Sequence, residues 1–260
     1  MKIRDIIAPI EEFAPLSLQE SYDNAGLVVG RLDDELRGGV LLAVDVTEAV
    51  IEEAIEKNCG LIITHHPIIF QPLKRLNSAS VVERCVELAI RNDIALYACH
   101  TNLDSVKNGM SWRVGEMLGL QDMEVLQPTA EGAGFGVVGN LPVAVDEKAF
   151  LATVKTRFSV EALRHSALLG SEVKRVAICT GAGASLMREA KASKCDIYLT
   201  ADLKYNDFYT PDSNFVVVDM GHFESEFCVI AILFDVLSKI FINFALYKSA
   251  QSKNPVHYFV

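Results

Sequence analysis

The sequence is poor in the features that mark several protein classes. Its six cysteines form no Cys-x-x-Cys pair, so neither a zinc ribbon nor a disulfide framework is indicated. Its longest run without a charged residue or a histidine, 132–145, is broken by glycine and proline and is shorter than the roughly 18 to 20 apolar residues that span a bilayer. The N-terminus does not resemble a signal peptide. These absences predict a cytoplasmic protein with reduced thiols and no membrane partner.

Basic residues are also fewer than acidic ones. The chain has 24 lysines and arginines against 34 aspartates and glutamates, giving a formal net charge of −10. No basic cluster exceeds a pair of neighbours such as Lys74-Arg75. Such a surface repels phosphate backbones, so general nucleic-acid binding is not expected.

What the sequence does contain is an alternating α/β pattern. With 50% hydrophobic residues among 260, it can bury a sizeable core. Strand 40–46, helix 48–58 and strand 61–63 make a βαβ unit. The glycine-punctuated segment 120–150 is typical of antiparallel strands, and the α/β pattern then resumes and ends in an apolar helix over 225–240.

These elements predict an α/β fold of two similar halves packed into one compact unit. The expected halves are residues 1–125 and 126–260, with the C-terminal segment able to pack back on the first half. No linker rich in proline, serine or charge separates them.

Four of the six histidines come within a few residues of the end of a predicted buried strand. His65 and His66 follow the strand at 61–63, His100 follows that at 94–99, and His222 follows that at 215–218. Ligands of open α/β sheets bind at the carboxyl ends of strands. We therefore expect these imidazoles to gather with nearby carboxylates, a donor set that suits zinc, manganese, iron or nickel.

Spacing favours two metal ions over one. Adjacent side chains on an extended backbone point to opposite sides, so His65 and His66 are expected to serve different ions. His222 and Glu226 have i, i+4 spacing and should share one helix face. Asp104 and Glu226 could then bridge two ions that activate water.

Each motif also has a plainer interpretation. Asp23 and Asn24 can be turn formers, and Asp45 and Thr47 can cap the next helix. The turn 180–185 can bind an anion at a helix start, or be a tight turn capped by Ser185. The remaining histidines, His165 and His257, are expected to be structural or exposed.

Four stretches stand out together: Tyr22-Asp23-Asn24-Ala25-Gly26, Ile63-Thr64-His65-His66-Pro67, His100-Thr101-Asn102-Leu103-Asp104 and Gly221-His222-Phe223-Glu224-Ser225-Glu226. In combination they resemble the Nif3-like dinuclear metal-centre proteins, often named GTP cyclohydrolase 1 type 2 homologs. The resemblance implies a Nif3-like fold and a toroidal homohexamer with two divalent metal ions per subunit. The ligands it implies are His65, His66, Asp104, His222 and Glu226, with His100 as a catalytic or substrate-facing residue.

Two departures from that family pattern stand out. Where many relatives have Thr-Gly-Asp followed by Tyr-His, this chain has Thr200-Ala201-Asp202 and Tyr205-Asn206, and Asn206 cannot act as a base near neutral pH. The chain also resembles the short form, without the central inserted domain of some members.

Two functions are therefore expected. The first is a metal-dependent hydrolase of a small, nucleotide-like substrate. The alternative is a non-enzymatic metal-binding regulatory or scaffold protein. A third interpretation, a purely structural α/β protein with incidental histidines, is weaker.

Overall fold

The chain forms two compact units in the computed structural model, which describes residues 1–130 and 132–259. The first unit comprises Met1–Leu103 and Val229–Lys253. The second comprises Asp104–Cys228 and the described residues from Asn254 onward. The units are interleaved along the chain, because a C-terminal segment belongs to the first.

The first unit contains a five-stranded sheet. Its strands are Gly26–Val29 (β1), Gly39–Ala43 (β2), Cys59–Thr64 (β3), Ala95–Ala98 (β4) and Leu246–Lys248 (β11). The spatial order is β1-β4-β3-β2-β11, and only β1 is antiparallel to its neighbour. Its helices are Ile3–Phe13 (α1), Glu48–Glu56 (α2), Val81–Arg91 (α3) and Val229–Ser238 (α9), and the short helix Thr101–Ser105 (α4) contains the boundary to the second unit.

The second unit contains a six-stranded sheet. Its strands are Gln121–Ala130 (β5), Ala133–Asp146 (β6), Arg164–His165 (β7), Glu172–Ala182 (β8), Ile197–Ala201 (β9) and Val216–Asp219 (β10). The order is β5-β6-β8-β9-β10-β7, with β8, β9 and β10 parallel. Its helices are Met110–Met117 (α5), Glu147–Arg157 (α6), Met187–Ala192 (α7) and His222–Glu226 (α8).

Local chemistry accounts for several boundaries. Helix α1 buries Ile3, Ile6, Ile7 and Ile10, which recur at helical spacing. Helices α2 and α3 start where the Thr47 and Ser80 hydroxyls accept hydrogen bonds from the third residue of each helix. These side chains satisfy N–H groups that a helix start leaves without a partner.

Parallel pairing determines where each sheet can carry a site. In the first unit, β2, β3 and β4 are parallel neighbours, so their carboxyl ends lie at one edge. In the second unit, β8, β9 and β10 have the same relation. Loops that leave these ends are therefore brought side by side, although the chain between them is long.

The α/β class and the antiparallel segment at 120–150 are confirmed. The single helix predicted over 225–240 is wrong, because α8 ends at Glu226 and α9 begins at Val229. That stretch is apolar almost throughout, so its pattern carries no signal for the break. None of the helices in the described residues is long and apolar enough to cross a membrane.

Candidate metal centre

Three imidazoles meet at the strand ends of the first unit. His65 and His66 follow β3, and His100 follows β4. Ring centroids are 4.9 Å apart for His65 and His66, 5.2 Å for His65 and His100, and 5.4 Å for His66 and His100. One nitrogen from each ring lies within 4.8 Å of the others. The sequence prediction that strand ends gather these residues is thus confirmed within this unit.

The expectation that His65 and His66 point to opposite sides is wrong. Both residues lie beyond the end of β3, in a bend. Their backbone N–H groups donate to the same acceptor, the Val44 carbonyl, at 3.1 and 3.2 Å. The alternation of a strand does not apply there, and the two rings converge.

The Nδ1 atoms in this cluster are held by oxygen acceptors. His65 Nδ1 donates to the Cys99 carbonyl at 2.8 Å, which requires the proton on Nδ1 because a carbonyl only accepts. His66 Nδ1 lies 2.8 Å from a carboxylate oxygen of Asp45. With Nδ1 engaged in this way, Nε2 is the atom through which each ring would bind a metal.

His100 is held in the same manner by Asp23. Its Nδ1 lies 2.6 Å from Asp23 Oδ1, and the other carboxylate oxygen accepts from the Thr101 backbone N–H at 3.0 Å. Burial alone would raise the pKa of Asp23, but the hydrogen bonds from His100 and Thr101 outweigh it and hold the pKa well below its usual range. The ring of Phe70 also approaches His100 edge-on, with centroids 6.1 Å apart.

The second unit contains a further histidine and carboxylate pair on α8. His222 Nε2 lies 3.1 Å from Glu226 Oε2, which confirms the predicted i, i+4 pairing. His222 Nδ1 lies 2.8 Å from Asp202 Oδ2. Burial lowers the pKa of His222, but the hydrogen bonds and charges of Glu226 and Asp202 outweigh it and raise the pKa to about 9. The protonated, positively charged form of this ring is therefore favoured beside the two carboxylates.

Asp104 belongs to the same unit as Glu226, and both carboxylates act on the same two thiols. Burial, followed by the charge of Asp104, raises the pKa of Cys179 to about 12. Burial, followed by the charge of Glu226, raises the pKa of Cys228 to about 12. Both thiols stay protonated at neutral pH, so the anionic donors of this unit are its carboxylates.

Helix α8 is fixed to the end of β8 by one serine. Ser225 Oγ accepts from the Gly181 N–H at 2.9 Å and donates to the His222 carbonyl at 2.8 Å. Gly181 has φ +62°, and a Cβ there would collide with Glu226 Oε1. The glycine is needed because the backbone passes directly beside the Glu226 carboxylate.

A buried aspartate also braces the loops around His222. Asp219 accepts from the N–H of Leu203 at 3.0 Å and from that of Gly221 at 3.1 Å. It therefore joins the residue after Asp202 to the residue before His222. Asp219 is the last residue of β10, so the end of this strand positions both loops.

The glycine-rich turn at 180–185 differs from the Ser185-capped turn that one sequence interpretation predicts. Ser185 lies inside a 3₁₀ turn, Ala184–Leu186, whose N-cap is Gly183 and has no side-chain cap. The Gly183 N–H donates to Thr200 Oγ1 at 2.9 Å. Close backbone packing against neighbouring strands, rather than a serine cap, is what these glycines permit.

The other predicted residues are placed as follows. His165 is exposed and its Nδ1 lies 2.7 Å from the Ser166 carbonyl, while His257 is exposed near the C-terminus. Asn206 is exposed and lies in the 3₁₀ segment Tyr205–Tyr209. Among the described residues no disulfide forms, and five of the six cysteines are buried.

Three aspartates that contact histidine Nδ1 atoms are not singled out by the sequence. Residue type favours a turn role for Asp23 and a capping role for Asp45, and Asp202 is only part of a motif. Asp45 follows β2 and Asp202 follows β9, each next to the parallel strand that precedes its histidine partner. A search for an aspartate at the end of the neighbouring strand would have found both.

The donor set fits a divalent metal ion. Within each unit, imidazoles have Nδ1 engaged by oxygen. In the second unit, His222 Nε2 also lies beside the Glu226 carboxylate. This arrangement of a carboxylate or carbonyl behind a ligating histidine is typical of protein metal sites. Nitrogen and carboxylate donors suit zinc and several other transition metals without selecting one.

Curated relatives extend over the whole chain. A protein from Clostridium acetobutylicum named "GTP cyclohydrolase 1 type 2 homolog" is 34% identical over 265 residues, covering 98% of each chain. A Drosophila melanogaster protein named "NIF3-like protein 1" is 30% identical over 230 residues, covering 86% of this chain and 78% of that one.

Solved structures and family models agree with these relatives. A Bacillus cereus protein described as related to NIF3 superposes with a TM-score of 0.94 at 24% identity, covering 100% of this chain and 99% of the other. This likeness shows the fold. The model of the family Duf34/NIF3 (NGG1p interacting factor 3) matches residues 1–255. The chain therefore belongs to the Duf34/NIF3 family.

Proposed function

We propose that this protein binds two divalent metal ions per subunit and uses them to hydrolyse a small, nucleotide-like substrate. The observation that carries the proposal is the repeated histidine arrangement, in which oxygen acceptors hold Nδ1 in both units and leave Nε2 as the atom for a metal. Rings that served only the core would not need a carboxylate behind them in each unit.

The proposed ligands are His65, His66, Asp104, His222 and Glu226. The support is their family motif together with the donor chemistry of each unit. His65 is fully buried and Glu226 is 3% exposed, and buried ionisable groups are stable when paired or bound to metal. Zinc, iron, manganese and nickel are all compatible with this set.

The metal ions would supply Lewis-acid polarisation of water and substrate oxygens. The chain's own contribution is to orient the donors and to hold a base beside them. His100 is the proposed base, because its Nδ1–H is engaged by Asp23 and its Nε2 can accept a proton. The exposed Phe70 ring beside His100 offers a surface against which a planar ring could pack.

The relatives named GTP cyclohydrolase 1 type 2 homologs suggest GTP as the first substrate to test. Protein purified without a histidine tag should contain divalent metal by elemental analysis. When metal-loaded, it should turn over GTP or a member of a phosphoester panel, and His66→Ala should lose both metal and turnover. Loaded protein that is inactive on the whole panel, beside an active control hydrolase, would contradict the enzymatic proposal.

The proposed assembly is a toroidal homohexamer, as the family resemblance implies, and its proposed location is the cytoplasm. Sedimentation of the purified protein should give six times the 28.6 kDa subunit mass. A monomer or dimer at all concentrations would contradict it.

A second candidate is a metal-binding scaffold without turnover. The family description, which names an interacting factor, favours it. In that case His66→Ala and Glu226→Ala should abolish partner capture together with metal binding. Capture that persists after the metal is removed would exclude a metal-dependent scaffold.

A further inference from the structure

Three histidines are backed by aspartates, but one of these pairs is built differently. The side chains of Asp45 and Asp202 are 40% and 55% exposed, whereas that of Asp23 is fully buried. Exposed carboxylates can exchange their partners with water, while a buried one is held by its protein donors. The Asp23–His100 pair is therefore the most rigidly fixed of the three.

Four donors surround the Asp23 carboxylate. Oδ1 accepts from the backbone N–H of Asn24 at 2.7 Å and faces His100 Nδ1 at 2.6 Å. Oδ2 accepts from the Thr101 N–H at 3.0 Å and from Thr101 Oγ1 at 2.5 Å. Thr101 Oγ1 in turn accepts from the Glu20 N–H at 2.9 Å, which leaves its hydroxyl proton for Asp23.

This pattern fixes the direction of every hydrogen bond in the network. Both carboxylate oxygens already face backbone N–H groups, which cannot accept, so Asp23 is an acceptor throughout. The proton in the Asp23–His100 bond must then reside on Nδ1, and neutral His100 presents an unprotonated Nε2. A histidine held in one tautomer by a buried aspartate is the arrangement that serves proton transfer in hydrolases.

We propose that Asp23 is a positioning residue that, with Thr101, locks His100 in the Nδ1–H tautomer as a proton acceptor rather than a metal ligand. The inference rests on the proposed hydrolase site but not on knowledge of its substrate. It assigns different tasks to aspartates that look alike: Asp45 supports a metal ligand, and Asp23 supports a base.

The test compares Asp23→Asn with the matched variant Asp45→Asn in zinc-loaded protein. Long-range proton–nitrogen NMR of histidine-labelled protein reports the tautomer of each ring, and His100→Gln assigns the His100 signals. We expect wild-type His100 to be entirely Nδ1–H and Asp23→Asn to introduce the Nε2–H form. Zinc content should stay at the wild-type level in Asp23→Asn and fall in Asp45→Asn.

Either of two results would overturn the proposal. One is a His100 tautomer that is unchanged in Asp23→Asn. The other is a loss of zinc in Asp23→Asn as large as in Asp45→Asn, which would make His100 a ligand. If a substrate is found, kcat of Asp23→Asn should fall about 10²-fold or more with a smaller change in KM. Because tautomer and zinc are measured without turnover, failure of this inference is distinguishable from failure of the hydrolase proposal.

Discussion

At the scale of single residues, the candidate site depends on backbone conformation as well as on side-chain donor atoms. Gly181 occupies a left-handed conformation, φ +62°, directly beside the Glu226 carboxylate. A side chain there would have to displace the carboxylate, since Ser225 and Thr200 hold the Gly181 backbone by hydrogen bonds. Glycine is thus part of the candidate site although it offers no donor atom.

Gly181→Ala should weaken metal binding about 10-fold to 100-fold by moving Glu226, as changes behind metal ligands commonly do. Metal affinity is measured by competition with a chelating dye. Gly170→Ala is the matched control, because Gly170 has φ +71° and nothing within 4 Å of an added Cβ. If both variants bind metal equally well, the clash with Glu226 has no consequence and the prediction is wrong.

Asp104→Asn should lower metal occupancy more than His100→Ala does. The reason is that a carboxylate can serve two ions, whereas His100 is proposed to act on substrate. Elemental analysis of the two purified variants measures their metal occupancy. Equal occupancy would contradict the division of roles between these residues.

At the scale of elements, helix α2 anchors the C-terminal segment of the first unit. Glu53 on α2 is 6% exposed and accepts from Ser249 Oγ at 2.5 Å, from Ala250 N at 3.0 Å and from Gln251 N at 3.1 Å. The donors come directly after the edge strand β11, so these bonds hold the chain that follows this strand. Burial raises the pKa of Glu53, but the hydrogen bonds and the charge of Lys57 lower it below its ordinary value of 4.5.

Glu53→Gln should reduce the free energy of unfolding by about 1–3 kcal/mol near neutral pH, since it removes a charged acceptor from buried donors. Because the pKa of Glu53 is lower in the folded than in the unfolded chain, the extra stability of the wild type is complete above the unfolded pKa. It disappears as the pH falls through the folded pKa. Denaturant unfolding at several pH values measures this difference in the free energy of unfolding. Glu52→Gln, on the exposed face of the same helix, is the control and should have little effect. A loss of unfolding free energy in Glu53→Gln that stays constant from neutral to acid pH would contradict this account.

At the scale of the whole molecule, metal should stabilise the folded chain because the proposed ligands are separated in sequence and assembled only on folding. Saturation at 100 times Kd adds about 2.7 kcal/mol. We expect chelation to lower Tm and re-addition of zinc to restore it, as followed by calorimetry. His257→Ala, far from the proposed ligands in sequence, should retain the effect, and His65→Ala should lose it. An unchanged Tm on chelation of metal-loaded wild type would contradict the prediction.

Much of the fold and of the site could be predicted from local pattern. The α/β class follows from alternating apolar strands and helices, and the Thr47 cap follows from residue type. His222 and Glu226 could be paired because four residues make one helical turn. The bend at His65 and His66 could not be predicted, because strand alternation ceases where the strand ends.

The sequence by itself determined the donor chemistry of this protein: imidazoles and carboxylates placed after buried strands, in an order typical of its family. Only the tertiary structure decided which aspartate stands behind which histidine. Asp45 is 21 residues from His66, Asp202 is 20 from His222, and Asp23 is 77 from His100. Those partners meet because sheet pairing sets strand ends side by side, and local spacing contains no information about which strands will pair.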